Sequence, residues 1–459
     1  MIESQAAPHA TPVVEGDREA SEHILRAAAA APLVPTDSAE HLPRSSGSWF
    51  KRDIIAFFLL GHTMALPTSI LFTASHSMFP GFTGAFMIVV SLSTIATVFP
   101  TPPILRFIPH WLRVVLIFVG SCLSFYFSTL GEPRIPPGQI SGTSMAITVY
   151  FFAACAFHET AAFFDPRTTA AFSTGAGSSV FIGPVLYIGI MQAYNGYWRT
   201  VLLVCLCTTP LFPMVWWILV PREGRRAAEE GRRAARSKRR RSTGSSTPDQ
   251  DPEKNAGMAG VAPVRTSGFG PERTRIGLFF KVLFPTYVLP QMIAVLLGIV
   301  ALFGLTPTFM YLSSFKKVPM GELQYEISYL AYGVAQFISS TLSTRYPLPK
   351  LWIWAALQCT IIVLSLVQIT EPFFTYYGVW ILFIFIHGAI VGASNINTNH
   401  KIDSDFRRRG EPEEVRSFAV SYGGLGNVIG EFFGGGFAIM VQRLVMLWIK
   451  PAHPIPPPI

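Results

Sequence analysis

The sequence has few charged residues for its length. Of the 459 residues, 14% are Asp, Glu, Lys or Arg and 50% are hydrophobic, and the mean hydropathy is +0.40. A soluble domain carries about 25% charged residues. Here the charges are concentrated between apolar runs of about 20 residues, the length that a helix needs to cross the hydrocarbon core of a bilayer. The shortage of charge therefore argues against a soluble domain and predicts a protein with several membrane-spanning helices in contact with the lipid bilayer.

Cysteine is also scarce, and its positions do not suggest a site. The five cysteines all lie inside apolar runs, with neither the spacing of a metal site nor that of a disulfide framework: Cys122, Cys155, Cys205, Cys207 and Cys359. No nucleophile–base pair stands out either. We therefore predict a protein that is not an enzyme and that has no metal and no cofactor. The net charge of +9 comes from loops between apolar runs, so we attribute it to a cytosolic membrane face and expect no nucleic acid partner.

Eleven apolar segments are candidates for spanning helices, six before a long basic segment and five after it, with room for only a cramped twelfth. They are residues 54–74, 84–104, 112–130, 143–164, 177–195, 199–220, 278–304, 325–344, 351–369, 373–396 and 415–440. Lys and Arg are more frequent in the loops on the side of the N-terminus, which predicts that the N-terminus is cytosolic. Two helical bundles joined by a long linker are typical of secondary transporters.

The chain is expected to divide into five segments. They are a disordered cytosolic tail (1–50), a six-helix bundle (51–220), a basic cytosolic linker (221–276), a five-helix bundle (277–450) and a Pro-rich tail (451–459). The linker begins "PREGRRAAEEGRRAARSKRRR", and its simplest interpretation is a solvated connection. The alternative is a contact between residues 222–241 and anionic lipid, because each Lys or Arg near an acidic leaflet contributes about 1 kcal/mol.

A few ionisable or strongly polar residues fall inside the apolar segments. In "AACAFHETAAFFDPR", His158 and Glu159 are expected in the middle of the fourth span, and Asn427 and Glu431 lie four residues apart on one face of the last span. An ionisable group inside a membrane costs about 2.5–3.5 kcal/mol, so each of these residues is a candidate for a solute or proton path. Gln336 in the eighth span is a weaker candidate. The alternative for all of them is an interhelical hydrogen bond with only a structural role.

The stretch "GASNINTNHKI", residues 392–402, is unusually polar for the end of a span. It contains four candidate gate residues: Asn395, Asn397, Thr398 and His400. One interpretation is the polar exit that any spanning helix needs. The other is that the asparagines form hydrogen bonds across helices near the mouth of a cavity, with His400 already at the interface.

Several segments together resemble the battenin family, the Batten-disease protein and its fungal relatives. They are "FFLLGHTMALPTSILFTASH", "STGAGSSVFIGPVLYIGI", "NVIGEFFGG" and the pattern formed by Gly392, Ala393, Asn397, Thr398, His400 and Ile402. The resemblance implies a major-facilitator-like bundle of about 11 helices (6 + 5) in the lysosomal or vacuolar membrane, with a cytosolic N-terminus. It also implies roles in vacuolar pH, in basic amino-acid balance and in export of glycerophosphodiesters.

The chain departs from that family pattern where charge is expected. Met64 and Ala65 stand in place of paired asparagines, the seventh span lacks its acidic residues, and Phe337 and Ile338 replace a segment that carries an arginine. The family's aspartate in the last span appears as Asn427. A cavity without that arginine is poorly suited to a phosphodiester, so the solute of this chain is expected to differ.

We therefore expect a vacuolar or lysosomal transporter of basic amino acids or related small polar solutes that contributes to pH homeostasis. Glu159, with His158 beside it, is the first candidate for a proton-linked or solute-binding acid. Glu431 and Asn427 are expected to face it from the second bundle. The alternative is a membrane adaptor that does not transport and that regulates vesicle traffic or a proton pump through its cytosolic loops.

Overall fold

The computed structural model describes residues 49–105, 107–130, 137–161, 164, 166–194, 197–226, 229–230, 275–311, 323–348, 350–411 and 413–448. Almost all of the expected tails (1–50 and 451–459) and most of the linker (221–276) lie outside the described residues. Most of the expected lipid contact at 222–241 lies outside them as well. The regular structure within the described ranges is helical.

Eleven long helical elements follow one another within the described ranges. They are α1 (Trp49–Thr73), α2 (Gly84–Val98), α3 (His110–Thr129), α4 (Pro137–Ala161), α5 (Pro166–Ala193), α6 (Trp198–Leu219), α7 (Phe279–Phe309), α8 (Gln324–Arg345), α9 (Leu351–Thr370), α10 (Tyr377–Arg408) and α11 (Leu425–Trp448). Short helices Ser75–Met78, Thr101–Leu105, Arg275–Leu278 and Glu413–Gly423 lie between them. Each long element corresponds to one of the eleven predicted spans.

Nine of these helices, within the described part of the chain, are long and apolar enough to cross a membrane. The other two are α2, which is apolar but shorter, and α8, which is long enough but contains more polar residues. The chain is therefore a multi-pass membrane protein, and the predicted all-α class is confirmed. Below, the near side is the side at which α1 begins, and the far side is the side at which α1 ends.

Close backbone contacts pair the helices within each half. A Cβ on Gly61 of α1 would lie 2.0 Å from the Phe172 carbonyl oxygen of α5, and one on Gly175 of α5 would lie 1.9 Å from the Phe58 oxygen of α1. In the second half, Gly388 of α10 approaches the backbone of α8 in the same way. Small residues let helices approach closely in a bilayer, where apolar contact alone gives no preference over lipid. The Gly-rich segment of α5 is thus used to pack against α1.

The helix does not end within the polar stretch 392–402, because α10 continues to Arg408. Lys401 and Asp405 form an ion pair of 3.0 Å, and Asp403 and Arg407 form one of 3.1 Å, each four residues apart along the helix. Such pairs stabilise the polar face of the helix, while Ile402 and Phe406 of the same segment are buried on the opposite face. Similarly, α5 begins at Pro166, several turns before the predicted residue 177, and the segment before α11 is a separate helix.

The cores of the two halves are shared on the far side and separate on the near side. The largest cluster of buried side chains draws on both halves, and rings of Phe86 and Phe303 meet across it with centroids 6.3 Å apart. On the near side, one cluster contains only first-half residues such as Phe157 and Trp216. Another contains only second-half residues such as Phe406. The two halves therefore pack together mainly on the far side.

Candidate functional site

A cavity of about 360 Å³ lies between the two halves. Helices α1, α2, α4 and α5 line it from the first half, and α7, α8, α10 and α11 line it from the second. Its aromatic lining residues are Phe72, Tyr150, Phe151, Phe303, Tyr329 and Tyr332. Its polar lining residues are Thr68, Ser69, Thr94, Ser179, Gln291, Gln336, Asn395, Asn427 and Glu431. A volume of this size accommodates a small organic solute.

Interactions between the halves close the cavity on the far side. The hydrogen bonds that cross here are Ser75–Tyr325 (3.0 Å), Ser77–Glu326 (3.3 Å) and Thr83–Gln442 (3.1 Å). Phe303 and Tyr329, at this end of the cavity, are buried, whereas Asn395, Asn427 and Glu431 are only half-buried. Access to the polar end of the cavity is therefore from the near side.

Two glycines bring α2 and α11 together on the far side. A Cβ on Gly84 would lie 2.4 Å from the Gly435 carbonyl oxygen, and one on Gly435 would lie 2.7 Å from the Gly84 oxygen. Both distances are shorter than any real carbon contact, so the backbones touch directly. This contact joins the two halves in the closed far side.

Glu431 is the acid of the cavity. Among the described lining residues it is the sole Asp or Glu, and neither Lys nor Arg is present. It lies one turn after Asn427 on α11, as the sequence predicted, and it is close enough to Tyr332 for an electrostatic interaction. No hydrogen bond or ion pair to its carboxylate is present within the described residues. A carboxylate in that position has its hydrogen-bonding capacity free for a solute.

An amide network holds the near end of the cavity in shape. Gln291 of α7 accepts hydrogen bonds from Ser394 (2.7 Å) and Thr398 (2.8 Å) through Oε1 and donates one to Asn427 (2.7 Å). Asn427 in turn donates to Asn395 at 3.0 Å. The network joins α7, α10 and α11, all in the second half, and presents Gln291, Asn395 and Asn427 to the cavity.

The four candidate gate residues occupy different environments. Asn395 belongs to the amide network and lines the cavity, and Thr398 is buried behind it with its hydroxyl on Gln291. Asn397 is also buried. Its side-chain oxygen accepts a hydrogen bond from the backbone N–H of Leu348, between α8 and α9, and its side-chain nitrogen donates to the carbonyl of Ala393. His400 is exposed on the near side. The structure thus brings Asn395 to the cavity and leaves Asn397 and His400 away from it.

The position expected for Glu159 and His158, in the middle of a span, is wrong. Both lie in the last turn of α4, exposed on the near side, and neither is among the cavity-lining residues. Glu159 forms an ion pair of 3.1 Å with Arg113. The Arg113 side chain is 1% exposed, whereas the Glu159 side chain is 40% exposed. Arg113 also donates to the carbonyls of Leu105 and Ile108. The predicted span ran from residue 143 to residue 164, whereas α4 begins at Pro137 and ends at Ala161, so Glu159 lies at its end and not in its middle.

Sequence reasoning identified Gln336, which lines the cavity, but missed two other residues. Gln291 was overlooked because "YVLPQMIAVLL" contains only one polar side chain and no charge. Glu326 was overlooked because it stands near the first residue of a predicted span, where an acid is unremarkable in a sequence. Its burial, at 1% exposure, was not visible in the pattern.

Comparison with solved structures shows the major-facilitator-type fold. A POT family transporter in complex with a thioalcohol-conjugated peptide is 13% identical, with a TM-score of 0.52. The alignment covers 86% of this chain and 94% of the transporter chain. A D-xylose–proton symporter is 12% identical, with a TM-score of 0.51, and the alignment covers 88% of this chain and 99% of the symporter chain. A bacterial homologue of the human lysosomal transporter Spinster, in an inward-facing and occupied conformation, is 12% identical, with a TM-score of 0.51. The alignment covers 86% of this chain and 82% of the homologue. At these identities the likeness concerns the fold alone.

Comparison with sequence families identifies the chain more closely. No individually curated protein sequence matched it. The family model described as "CLN3 protein" matches residues 55–447, which include the described helices from α2 to α10, most of α1 and almost all of α11. The expected resemblance to the battenin family is therefore confirmed, and the chain belongs to the CLN3 protein family.

Proposed function

We propose that this chain is a solute transporter of the lysosomal or vacuolar membrane that works by alternating access. The observation that carries the proposal is a cavity between two helical halves, closed on the far side and containing one acid, Glu431, that has no hydrogen-bond or ion-pair partner among the described residues. The halves have separate cores on the near side, so they are able to rock about the cavity without unpacking either bundle. The near side is then the cytosol, in keeping with its Lys- and Arg-rich loops.

The solute that fits this cavity best is a small cation with a polar backbone, such as a basic amino acid. Glu431 supplies a negative charge, and the described lining has no Lys or Arg to bind an anion. Asn395, Asn427 and Gln291 offer amide donors and acceptors for a carboxylate and an amine. Aromatic faces such as Tyr332 add a cation–π contribution of about 0.5–2 kcal/mol for a desolvated ammonium.

Coupling to pH follows from the same acid. A lone carboxylate in a largely apolar cavity is stabilised either by a bound cation or by a proton, and the two compete for it. Exchange of a cationic solute for a proton through Glu431 would link basic amino-acid balance to vacuolar pH. Under this proposal Glu159 and His158 belong to the near-side rim and not to the solute path.

The test is uptake into proteoliposomes of labelled lysine, a neutral amino acid and a glycerophosphodiester, with wild type and Glu431→Gln. We expect lysine uptake by wild type and a loss of at least about tenfold in Glu431→Gln, because losing one charge-assisted contact removes about 1.5–3 kcal/mol. Glu371→Gln is the matched control, since Glu371 is an exposed acid at the far-side end of α9. We expect it to transport lysine as wild type does.

Two results would contradict the proposal. Lysine uptake that is equal in wild type and Glu431→Gln would exclude Glu431 as the cation contact. A folded protein that moves none of the three solutes, while deletion of the linker segment 231–274 abolishes its cellular effect, would favour an adaptor that does not transport. In that case the cavity would be a structural feature and not a solute path.

A further inference from the structure

A second acid, Glu326, is buried in the far-side contact between the halves. It lies in the first turn of α8, and its side chain is 1% exposed. One carboxyl oxygen accepts a hydrogen bond of 3.3 Å from Ser77, which follows α1 in the first half. The other oxygen, Oε2, is buried without a hydrogen-bond partner. The residue thus belongs to the contact that closes the cavity on the far side.

No cation faces Glu326 from the described elements packed around it. The titratable groups there are the hydroxyls of Tyr187 on α5, of Tyr325 on α8 and of Tyr377 on α10. His76, beyond the end of α1, has its ring 5.1 Å from that of Tyr325. Burial lowers the pKa of His76 to about 4, so its imidazole is neutral above that pH and gives Glu326 no counter-charge.

The closed contact is therefore compatible with a neutral carboxyl and not with a carboxylate. A buried carboxylate with one long hydrogen bond and no cation loses several kcal/mol of hydration that nothing nearby restores. A protonated carboxyl loses far less, and its O–H supplies a donor to a cluster rich in hydroxyl acceptors. The buried Tyr187 hydroxyl lies in the same cluster, close to Ser77.

We propose that Glu326 is a proton-binding site in the far-side gate, protonated when the two halves meet and ionised when they part. Parting the halves breaks the Ser77 contact and brings the carboxyl into far-side water, where it releases its proton. This site is separate from Glu431, which lines the cavity. The inference rests on the proposed alternating-access function, because it requires that the far side opens.

The sign of the pH effect follows directly. Closure takes up a proton, so acid on the far side favours the closed gate and neutral pH favours the open one. One proton bound on closure changes the equilibrium between the two forms by at most about tenfold per pH unit. In an acidic compartment the gate would therefore rest closed, with the cavity facing the near side.

The experiment measures distances across the gate by pulsed electron paramagnetic resonance in lipid nanodiscs. The full chain, with its five cysteines replaced, carries spin labels on Tyr194→Cys and Tyr376→Cys, two exposed far-side positions in opposite halves. A second label pair, Phe107→Cys and Arg408→Cys, reports on the near side. We expect the far-side pair to move apart as the pH rises from about 5 to about 8, and the near-side pair to move together.

Three variants decide whether Glu326 is the group that titrates. Glu326→Gln is expected to keep short far-side distances at every pH, because an amide remains neutral. Glu326→Asp keeps an acid and is expected to restore the pH response. His76→Gln is the matched control from the same gate, and we expect it to respond as wild type does.

The outcomes separate this inference from the proposed function. If Glu326→Gln opens and closes with pH as wild type does, Glu326 is not the proton site although the halves still move. If His76→Gln loses the response while Glu326→Gln keeps it, the histidine is the titrating group. If neither label pair moves at any pH and no solute is transported, the alternating-access proposal itself is wrong.

Discussion

The contact between Gly84 and Gly435 provides a test of whether the halves really separate on the far side. The perturbation is Gly435→Ala, and the matched control is Gly436→Ala, the next residue of α11. A Cβ on Gly435 would lie 2.7 Å from the Gly84 oxygen, whereas one on Gly436 has nothing within 4 Å. Both residues are inside the same helix, so the gain in helix propensity on replacing Gly by Ala cancels between the two variants.

The magnitude follows from the overlap. To bring that oxygen to an ordinary contact distance, α2 and α11 must separate by about 0.7 Å, a gap that forfeits a quarter to a half of the dispersion energy of the facing atoms. Overpacking of this kind costs about 1–3 kcal/mol. Because the strain exists only when the far side is closed, we expect it to raise the open-to-closed ratio by about 5- to 150-fold.

The assay is the same far-side distance measurement, made at about pH 5 where the gate is expected to be closed. Gly435→Ala should populate the long-distance form, and Gly436→Ala should match wild type. Thermal unfolding in detergent checks that both variants are folded. Equal distance distributions in the two variants would refute the reasoning, because the steric difference between them would then have no effect on the gate.

Two further predictions concern parts of the protein outside the gate. Arg113→Gln should lower the unfolding temperature more than Glu159→Gln does, because Arg113 is buried and bonds two backbone carbonyls while the Glu159 side chain is 40% exposed and retains water as a partner. Thermal unfolding of the two variants measures this, and a larger loss in Glu159→Gln would contradict it. Gln291→Leu should weaken lysine uptake without abolishing it and should also reduce stability, because it leaves the Ser394 hydroxyl without its acceptor and removes one of the two acceptors of the Thr398 hydroxyl. Transport by Gln291→Leu equal to that of wild type would show that the amide network has no part in the solute path.

Much of the fold was predictable because lipid imposes a simple rule. A backbone in a bilayer must bond to itself, so apolar length alone located eleven helices and the division into six and five. The predicted helix ends are wrong where polar segments are helical. The predicted span ended at residue 396, but α10 continues to Arg408, because charges in this segment pair along the helix, as Lys401 and Asp405 do.

The site was predictable only in part, because sequence shows which residues are costly but not which way they face. Glu431 and Asn427 were correctly expected on one face of α11, and the structure places both in the cavity. Glu159 was likewise an ionisable residue inside a predicted span. It lies at the end of α4, however, where its side chain contacts solvent and Arg113 and does not line the cavity. A periodic pattern distinguishes buried from exposed faces within a helix, but it does not distinguish a face toward a cavity from one toward a neighbouring helix.

Glu431 and Glu326 face no cation in the described part of the chain. They differ in which conformation exposes them to water, and we propose different tasks for them on that ground. Glu431 lines a cavity that is closed on the far side, so under the proposed function its carboxyl exchanges ions with the near side in this conformation. Glu326 is buried in the far-side contact, and under our proposal it exchanges a proton with the far side only after the halves part. A single acid reached from both sides would bind solute and proton in turn, whereas two acids reached from opposite sides allow the far-side pH to set the resting conformation independently of the solute. Acidity on the far side would then control how often the carrier opens, and Glu431 would control what it carries.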